Sequence, residues 1–402
     1  MAENPQLETL LNRGVFEIVV ERELRERLKE GQPLRLKMGF DPSRPDLHLG
    51  YAVALRKLRQ FQDLGHQVIL IVGDWTARIG DPTGRSETRT MLTEAEVNAN
   101  AQTYLQQFFK IVDKDRTEVV WQSTWFGNFG LTDVLNLTSR FTVAQFLARE
   151  DFAKRFADQR PIAITEFMYP LLQAYDSVAI QSDVEFGGSD QKFNCLVGRD
   201  MQEMMGQRRQ QVFLLPLLLG TDGRKMSQSY GNYIAFEAPP NEMYGKIMST
   251  PDEVMLDYFT LLTDVPDAEL LEFRWAMEAG GVNPMDFKHR LAREIVTQFH
   301  DAGAASEAEG EFRRVVQGGG VPEDIESVSM AAVTLADGLV TIPQLVDALV
   351  TWGLAASKNE ARRLVTQNAV EVDGERVGDA PVAIRNGSIV RVGKRRYARV
   401  TG

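Results

Sequence analysis

The chain has 402 residues, 44% of them hydrophobic and 25% charged, which is material for two or three soluble domains around a large core. Its 45 Lys and Arg against 56 Asp and Glu leave a net charge of −11, an average that by itself argues against a nucleic-acid partner. A single cysteine, Cys195, excludes a disulfide framework and a thiolate zinc site, and four scattered histidines, His48, His66, His289 and His300, exclude an HExxH-like pair, so no metal site is expected.

Taken in chain order, Met1-Ala2-Glu3-Asn4-Pro5 lacks the basic and apolar regions of a signal peptide. No apolar run reaches the roughly 18 residues of a membrane span, so a soluble cytoplasmic protein with no membrane contact is expected. Leu11, Val15, Ile18, Val19 and Leu24 predict one amphipathic helix over residues 8–30, with its charged run from Glu21 to Glu30 facing solvent. A strand over Leu34–Phe40 runs into the turn-rich Asp41-Pro42-Ser43-Arg44-Pro45-Asp46, and a helix follows from about His48 to Leu64. Val68–Val72 is a continuous apolar run ending at Gly73-Asp74, as in a parallel strand buried on both faces. Strand, loop, helix and strand in this order make a βαβ unit, hence an α/β fold with a doubly wound parallel, Rossmann-like sheet. Gln211–Leu219 reads as a further buried strand, and Phe287–His300 as an amphipathic helix in a mostly helical stretch. Gly318-Gly319-Gly320 opens onto poorly periodic sequence, after which a helix pair and brief strands turn at Asp373-Gly374 and Asn386-Gly387. The expected division is an α/β domain over 1–230, a helical domain over 231–320, a linker over 321–340 and a small α+β domain over 341–402.

Ligands of such sheets bind where a strand hands over to a helix. Neither GxGxxG nor GxxxxGK[ST] stands there. The helix instead opens with Asp46-Leu47-His48-Leu49-Gly50, putting a donor and close backbone access where the helix dipole favours phosphate. Taken alone, His48 is more readily a simple helix cap. Lys225-Met226-Ser227-Gln228-Ser229, taken alone, is a polar loop. Together the two resemble the paired signatures of class I aminoacyl-tRNA synthetases. Gly39-Phe40-Asp41-Pro42, Ile79-Gly80-Asp81-Pro82-Thr83-Gly84, Tyr169 with Gln173-Ala174-Tyr175-Asp176, and Gly187-Gly188-Ser189-Asp190-Gln191 narrow the resemblance to bacterial tyrosyl-tRNA synthetases. It spans nearly the whole chain in the right order.

The resemblance implies a tyrosine–tRNA ligase that forms tyrosyl-adenylate and pyrophosphate from tyrosine and ATP, with Mg²⁺ accompanying ATP and no tightly bound cofactor, and then esterifies the 3′ end of its tRNA. It implies a homodimer, with each tRNA bridging subunits. Asp81, Tyr169 and Gln173 would hold the tyrosine ammonium, Asp176 would accept the phenol O–H, and Gln191 would sit by the carboxylate. Asp41, Gly188 and Asp190 would hold the ribose. His48 and Lys225 would meet the phosphates, and Gly39, Gly50, Met226 and Ser227 complete the ATP-binding set. Arg85 and Arg89 would close over pyrophosphate from a loop. Lys37 stands where one branch of the family carries a tyrosine near the substrate phenol. Two signature positions differ: Tyr51 replaces the second histidine of HxGH, and Gln228 the second lysine of KMSKS. Both side chains donate hydrogen bonds but supply no positive charge. The alternative reading is a catalytically weakened paralogue kept for RNA binding or regulation.

Residues 341–402 hold ten Lys and Arg against six Asp and Glu, a local charge of +4 that leaves −15 on the remainder. Ser357 to Val365 and the following Val370-Glu371-Val372-Asp373-Gly374 resemble the RNA-binding module named after ribosomal protein S-four. On its helix Lys358, Arg362 and Arg363 make a phosphate footprint. In this family the module grips the long variable arm of the tRNA and the helical domain reads the anticodon. His66 is expected to be structural, Cys195 packed, and Trp121 and Trp125 core or interface residues.

Overall fold

The computed structural model describes residues 5–83, 92–317, 325–332, 339–393 and 396–402. Two compact units divide between Ala305 and Ser306. The first is built on a six-stranded sheet of β1 (Glu17–Val19), β2 (Arg35–Phe40), β3 (Gln67–Val72), β4 (Thr117–Trp121), β5 (Val184–Gly188) and β6 (Gln211–Leu215). Their spatial order is β1-β6-β5-β2-β3-β4. Strands β2 to β6 run parallel, and β1 closes one edge antiparallel to β6. From β2 the chain moves outward through β3 and β4, then returns to β5 on the other flank of β2. The strand order therefore reverses between β2 and β5, and the crevice beyond their carboxyl ends is where a ligand fits.

Val68, Ile69, Leu70 and Ile71 of β3 are wholly buried, as a continuous apolar parallel strand must be. The helix Leu49–Asp63 lays Leu55, Leu58 and Phe61 against the sheet. The Phe61 ring meets Phe186 of β5 and Phe213 of β6 edge-on, at 5.4 and 5.7 Å between centroids. Each such side chain contributes about 1.5–3 kcal/mol by leaving water. The helices Ile164–Ala179 and Lys192–Met204 pack closely together.

The first thirty residues depart from the single helix that their apolar spacing predicts. A helix over Pro5–Asn12 stops ahead of Gly14, whose φ of +63° breaks the helical path, and β1 and a second helix over Glu21–Lys29 follow. Periodicity misled here because Ile18 and Val19 satisfy a helical pattern while their backbone completes the sheet edge on β6. Between β1 and that helix stands Val20 with φ 59° and ψ 54°, a left-handed conformation that a β-branched residue rarely adopts. Helices over Pro240–Met248, Met255–Leu262, Asp267–Glu278 and Pro284–Phe299 complete this unit. Arg13 ties down the end of the Met255–Leu262 helix by donating to the carbonyls of Phe259, Thr260, Thr263 and Val265.

The second unit carries a five-stranded sheet and the helices Ile342–Thr351 and Lys358–Thr366, packed over Leu345, Leu349, Val365, Val370 and Val390. The hairpin joining Val370–Val372 to Glu375–Arg376 turns at Asp373 and Gly374, both with positive φ, as its two-residue loop requires. Glu326–Ser329, read from the sequence as linker, instead pairs in parallel with Arg396–Thr401 at the sheet edge. A four-residue edge strand shows too little alternation to be legible on its own. No helix among the described residues is long and apolar enough to cross a membrane.

Candidate active site

At the switch point a cavity of about 360 Å³ opens between the end of β2, the start of the Leu49–Asp63 helix, one face of the Ile164–Ala179 helix and the Lys225–Ser229 loop. Helical spacing puts Tyr169, Gln173 and Asp176 on its wall together, and Asp41, Asp81, Asp190 and Gln191 join them. Gly39, His48, Gly50, Tyr51, Gly188, Lys225, Met226, Ser227 and Gln228 also line it. Among the described lining residues the cations are Lys225 and Arg44, against four aspartates. That excess of carboxylate suits a cationic group on a ligand. Arg85 and Arg89 lie outside the described residues.

Asp176 is the deepest of these carboxylates, 2% exposed. Its Oδ2 accepts from Gln122 Nε2 at 2.8 Å and its Oδ1 from Trp125 Nε1 at 3.2 Å. Burial pushes its pKa up to about 7, an effect that nearby Lys37 and the two hydrogen bonds only partly oppose. Gln122 is itself fixed, since its Oε1 accepts from the backbone N–H of Trp75 and Thr76. Trp125 is thus a hydrogen-bond donor to the site as well as a packing residue.

Tyr169 donates to Asp41 Oδ2 at 2.8 Å, and Thr76 Oγ1 donates to Asp41 Oδ1 at 2.7 Å. Asp81 and four other side chains close a ring of hydrogen bonds. Thr83 Oγ1 donates to Asp81 Oδ1 at 2.6 Å, and Gln191 Nε2 to Asp81 Oδ2 at 2.7 Å. Asn194 donates to Gln191 Oε1 at 3.0 Å, and the buried Arg149 closes the circuit on Asn194 Oδ1 at 3.3 Å and Thr83 Oγ1 at 2.9 Å. Sequence reasoning missed Gln122, Asn194 and Arg149, which stand in no motif and meet the site only through the fold.

His48 caps the Leu49–Asp63 helix, its Nδ1 accepting from Gly50 N at 3.2 Å. Glycine at position 50 leaves room for this ring, since a Cβ there would come within 2.9 Å of the imidazole. Burial, reinforced by Lys225, lowers the His48 pKa to about 4, so the ring is neutral at pH 7. With Nδ1 accepting, the proton sits on Nε2, a neutral donor. The Tyr51 ring lies 4.7 Å from it, and burial lifts the Tyr51 phenol to about 12. Lys225 pairs with Asp190, and Gln228 donates to the backbone carbonyl of Asp46, clasping the second signature loop to the first.

Lys37, expected beside the substrate phenol, does not line the cavity: it is wholly buried behind Gln173. Lys358, Arg362 and Arg363 are all exposed on the Lys358–Thr366 helix of the second unit, opposite the buried Ala361, Leu364 and Val365. His66 accepts from Leu34 N, and His289 and His300 bond Tyr244 and the Ala238 carbonyl, all structural contacts. Cys195 is fully buried and its thiol is pushed well above the ordinary range, first by burial.

Residues 29–317 match the family model described as tRNA synthetases class I (W and Y), the class that this sheet and its two signature loops define. Residues 327–400 match the tyrosine–tRNA ligase SYY-like C-terminal domain. A curated tyrosine–tRNA ligase of Dehalococcoides mccartyi (strain CBDB1) is 58% identical over 395 residues, 98% of either chain, and that of Thermotoga maritima is 51% identical over 98% of this chain and 96% of the relative. The chain belongs to the tyrosyl-tRNA synthetases, the ligases that join tyrosine to tRNA. Solved structures share the fold. A C-terminally truncated mitochondrial tyrosyl-tRNA synthetase of Aspergillus nidulans superposes with a TM-score of 0.64 at 22% identity, over 77% of this chain and 93% of that one. The Archaeoglobus fulgidus enzyme, complexed with L-tyrosine, gives 0.61 at 24% identity, over 76% and 99%. Nothing in these comparisons favours a non-catalytic paralogue.

Proposed function

We propose that the cavity activates tyrosine as follows. The phenol O–H donates to Asp176, the ammonium sits among Asp81, Tyr169 and Gln173, and the carboxylate lies near Gln191, facing ATP. A carboxylate oxygen attacks the α-phosphorus, the bond from that phosphorus to the α–β bridging oxygen breaks, and pyrophosphate leaves. Asp41, Gly188 and Asp190 hold the ribose while Gly39, Gly50, Met226 and Ser227 shape the rest of the nucleotide site. The neutral His48 and cationic Lys225 donate to the phosphates, and Arg85 and Arg89 are proposed to join them. The tRNA's terminal adenosine hydroxyl then attacks the tyrosyl carbonyl and AMP departs. Catalysis here is positioning and electrostatic stabilisation, with no covalent enzyme intermediate. Mg²⁺ would accompany ATP and would supply neutralisation of phosphate charge. Its ligands would be mainly phosphate oxygens and water rather than a protein cage.

The observation that carries this reading is Asp176, held on both oxygens by neutral donors and buried where a phenol can reach it. Phenylalanine would leave that acceptor unpaired; this enzyme class is itself the standing example of the resulting discrimination. Tyrosine-dependent ATP–pyrophosphate exchange tests the proposal, with phenylalanine as control. No exchange above background with tyrosine would overturn it.

The partners are part of the same proposal. Lys358, Arg362 and Arg363 are assigned to tRNA phosphates, the helical stretch within 231–320 to the anticodon, and the compartment to the cytoplasm. A homodimer is proposed through the helices Leu131–Thr138, Val143–Leu147 and Glu150–Ala157 and the start of Ile164–Ala179. These expose Leu131 (75%), Leu135, Val143, Phe156 and Ile164 (82%), apolar side chains that a second subunit would cover.

A further inference from the structure

Behind the amino-acid pocket, and outside its lining, lies a buried ion pair that the reaction above does not use. Lys37 of β2 and Glu185 of β5 are register partners on the two strands that flank the switch point. They are 0% and 1% exposed. Lys37 spends all three donors, on Glu185 Oε1 at 2.8 Å, Ser177 Oγ at 2.7 Å and the Gln173 carbonyl at 2.7 Å. Glu185 Oε1 also accepts from Gln173 Nε2 at 3.0 Å, while its Oε2 accepts from Ser177 Oγ and Gln210 Nε2. Gly198 leaves room for this network, since a Cβ there would lie 2.8 Å from Gln210 Nε2 and 3.1 Å from both Glu185 Oε2 and Ser177 Oγ.

A buried ion pair is a poor way to stabilise a core, because apolar side chains of similar volume serve as well or better. Its location gives it another use. A carboxamide has a donor end and an acceptor end, and an ammonium is bound only by the acceptor. Glu185 only accepts, so the Gln173 amide must turn its nitrogen inward and its carbonyl oxygen toward the cavity. Lys37 sets an opposite charge against Glu185 at 2.8 Å in a dry interior.

We propose that the Lys37–Glu185 pair is a positioning device that sets the polarity of Gln173 and thereby the pocket's selectivity for an α-ammonium group. The proposal rests on the reading that Gln173 faces the tyrosine ammonium. The test uses the full-length double variant Lys37→Met/Glu185→Leu, which removes both charges together and so strands neither. Binding of tyrosine and of 3-(4-hydroxyphenyl)propionate, which lacks the ammonium, is followed by tryptophan fluorescence. Tyrosine affinity should fall roughly 10- to 100-fold, the worth of a hydrogen bond to a charged group, while that of the des-amino acid stays within about twofold. Equal losses for both ligands, or no loss for either, would overturn the proposal. Glu185→Gln, whose own amide can face either way, carries the same pattern should the double variant not fold. If the unaltered protein fails to prefer tyrosine over the des-amino acid, the ammonium reading of Gln173 fails first. A preference that survives in the variant sinks the role of the pair alone.

Discussion

Replacing Asp176 with asparagine keeps the shape of the side chain and removes a charge from a dry site. Two opposing consequences follow, and pH separates them. The asparagine amide must turn its NH2 toward either Gln122 Nε2 or Trp125 Nε1, both donors, so one hydrogen bond becomes a donor–donor contact. That costs about 1–3 kcal/mol and depends little on pH. Against it, the carboxyl pKa rises from 3.8 to about 7 on folding, driven first by burial. The stability that Asp176 contributes is therefore fully present below about pH 4 and is lost as pH climbs to 7. At roughly 1.4 kcal/mol per unit, the two units between pH 5 and 7 amount to about 3 kcal/mol, with no further change by pH 8. Asp176→Asn should therefore gain about 3 kcal/mol on the unaltered protein between pH 5 and pH 8, whatever its absolute stability. Urea unfolding of both proteins, ligand-free, at the two pH values reads this double difference directly. A difference that stays flat would mean that Asp176 is ionised throughout and that its burial is not what sets its proton affinity. The same variant should discriminate tyrosine from phenylalanine at least about 100-fold less well in pyrophosphate exchange.

Four further outcomes are expected. Gln228→Lys should speed tyrosine-dependent pyrophosphate exchange about tenfold by adding a phosphate-facing charge, less than a full charge-stabilising donor because it surrenders the bond to the Asp46 carbonyl. Tyr51→His should change that rate by less than about threefold, since the burial that holds His48 near 4 would keep a second imidazole neutral; equal gains from the two variants would refute the distinction. Arg149→Ala opens the ring around Asp81 and should raise the tyrosine KM roughly tenfold while leaving the preference over phenylalanine intact, read from steady-state exchange with both amino acids. Val20→Gly should stabilise the protein by about 0.5–1 kcal/mol in chemical denaturation, because glycine adopts its left-handed backbone without strain.

How much of this was readable beforehand depended on whether local pattern or long-range packing decided each feature. β2, the Leu49–Asp63 helix and β3 follow from local apolar pattern, because each is buried along its own length, β3 on both faces. His48, Gly50 and the Lys225–Ser229 loop were legible as motifs, since phosphate binding draws on consecutive backbone groups. Tyr169, Gln173 and Asp176 were legible as a set because one helix spaces them. Gln122 and Trp125 reach Asp176 across more than fifty residues of sequence, and Arg149 meets Asn194 across forty-five, so no spacing rule announces them. Lys37 shows the opposite failure. Position in a motif suggested contact with substrate, but the strand register points it at Glu185 instead. β1 was lost because three residues at a sheet edge carry too little alternation to compete with a helical pattern.

The burial of Cys195 has a practical side. The chain's single thiol has no access to solvent, and it resists ionising, so a maleimide reagent has nothing native to label. Ser229, exposed at the end of the Lys225–Ser229 loop, can therefore be exchanged for cysteine and carry a dye with no prior removal of native thiols. A change in the surroundings of that loop on adding tyrosine, ATP or tRNA would then register as a change in fluorescence.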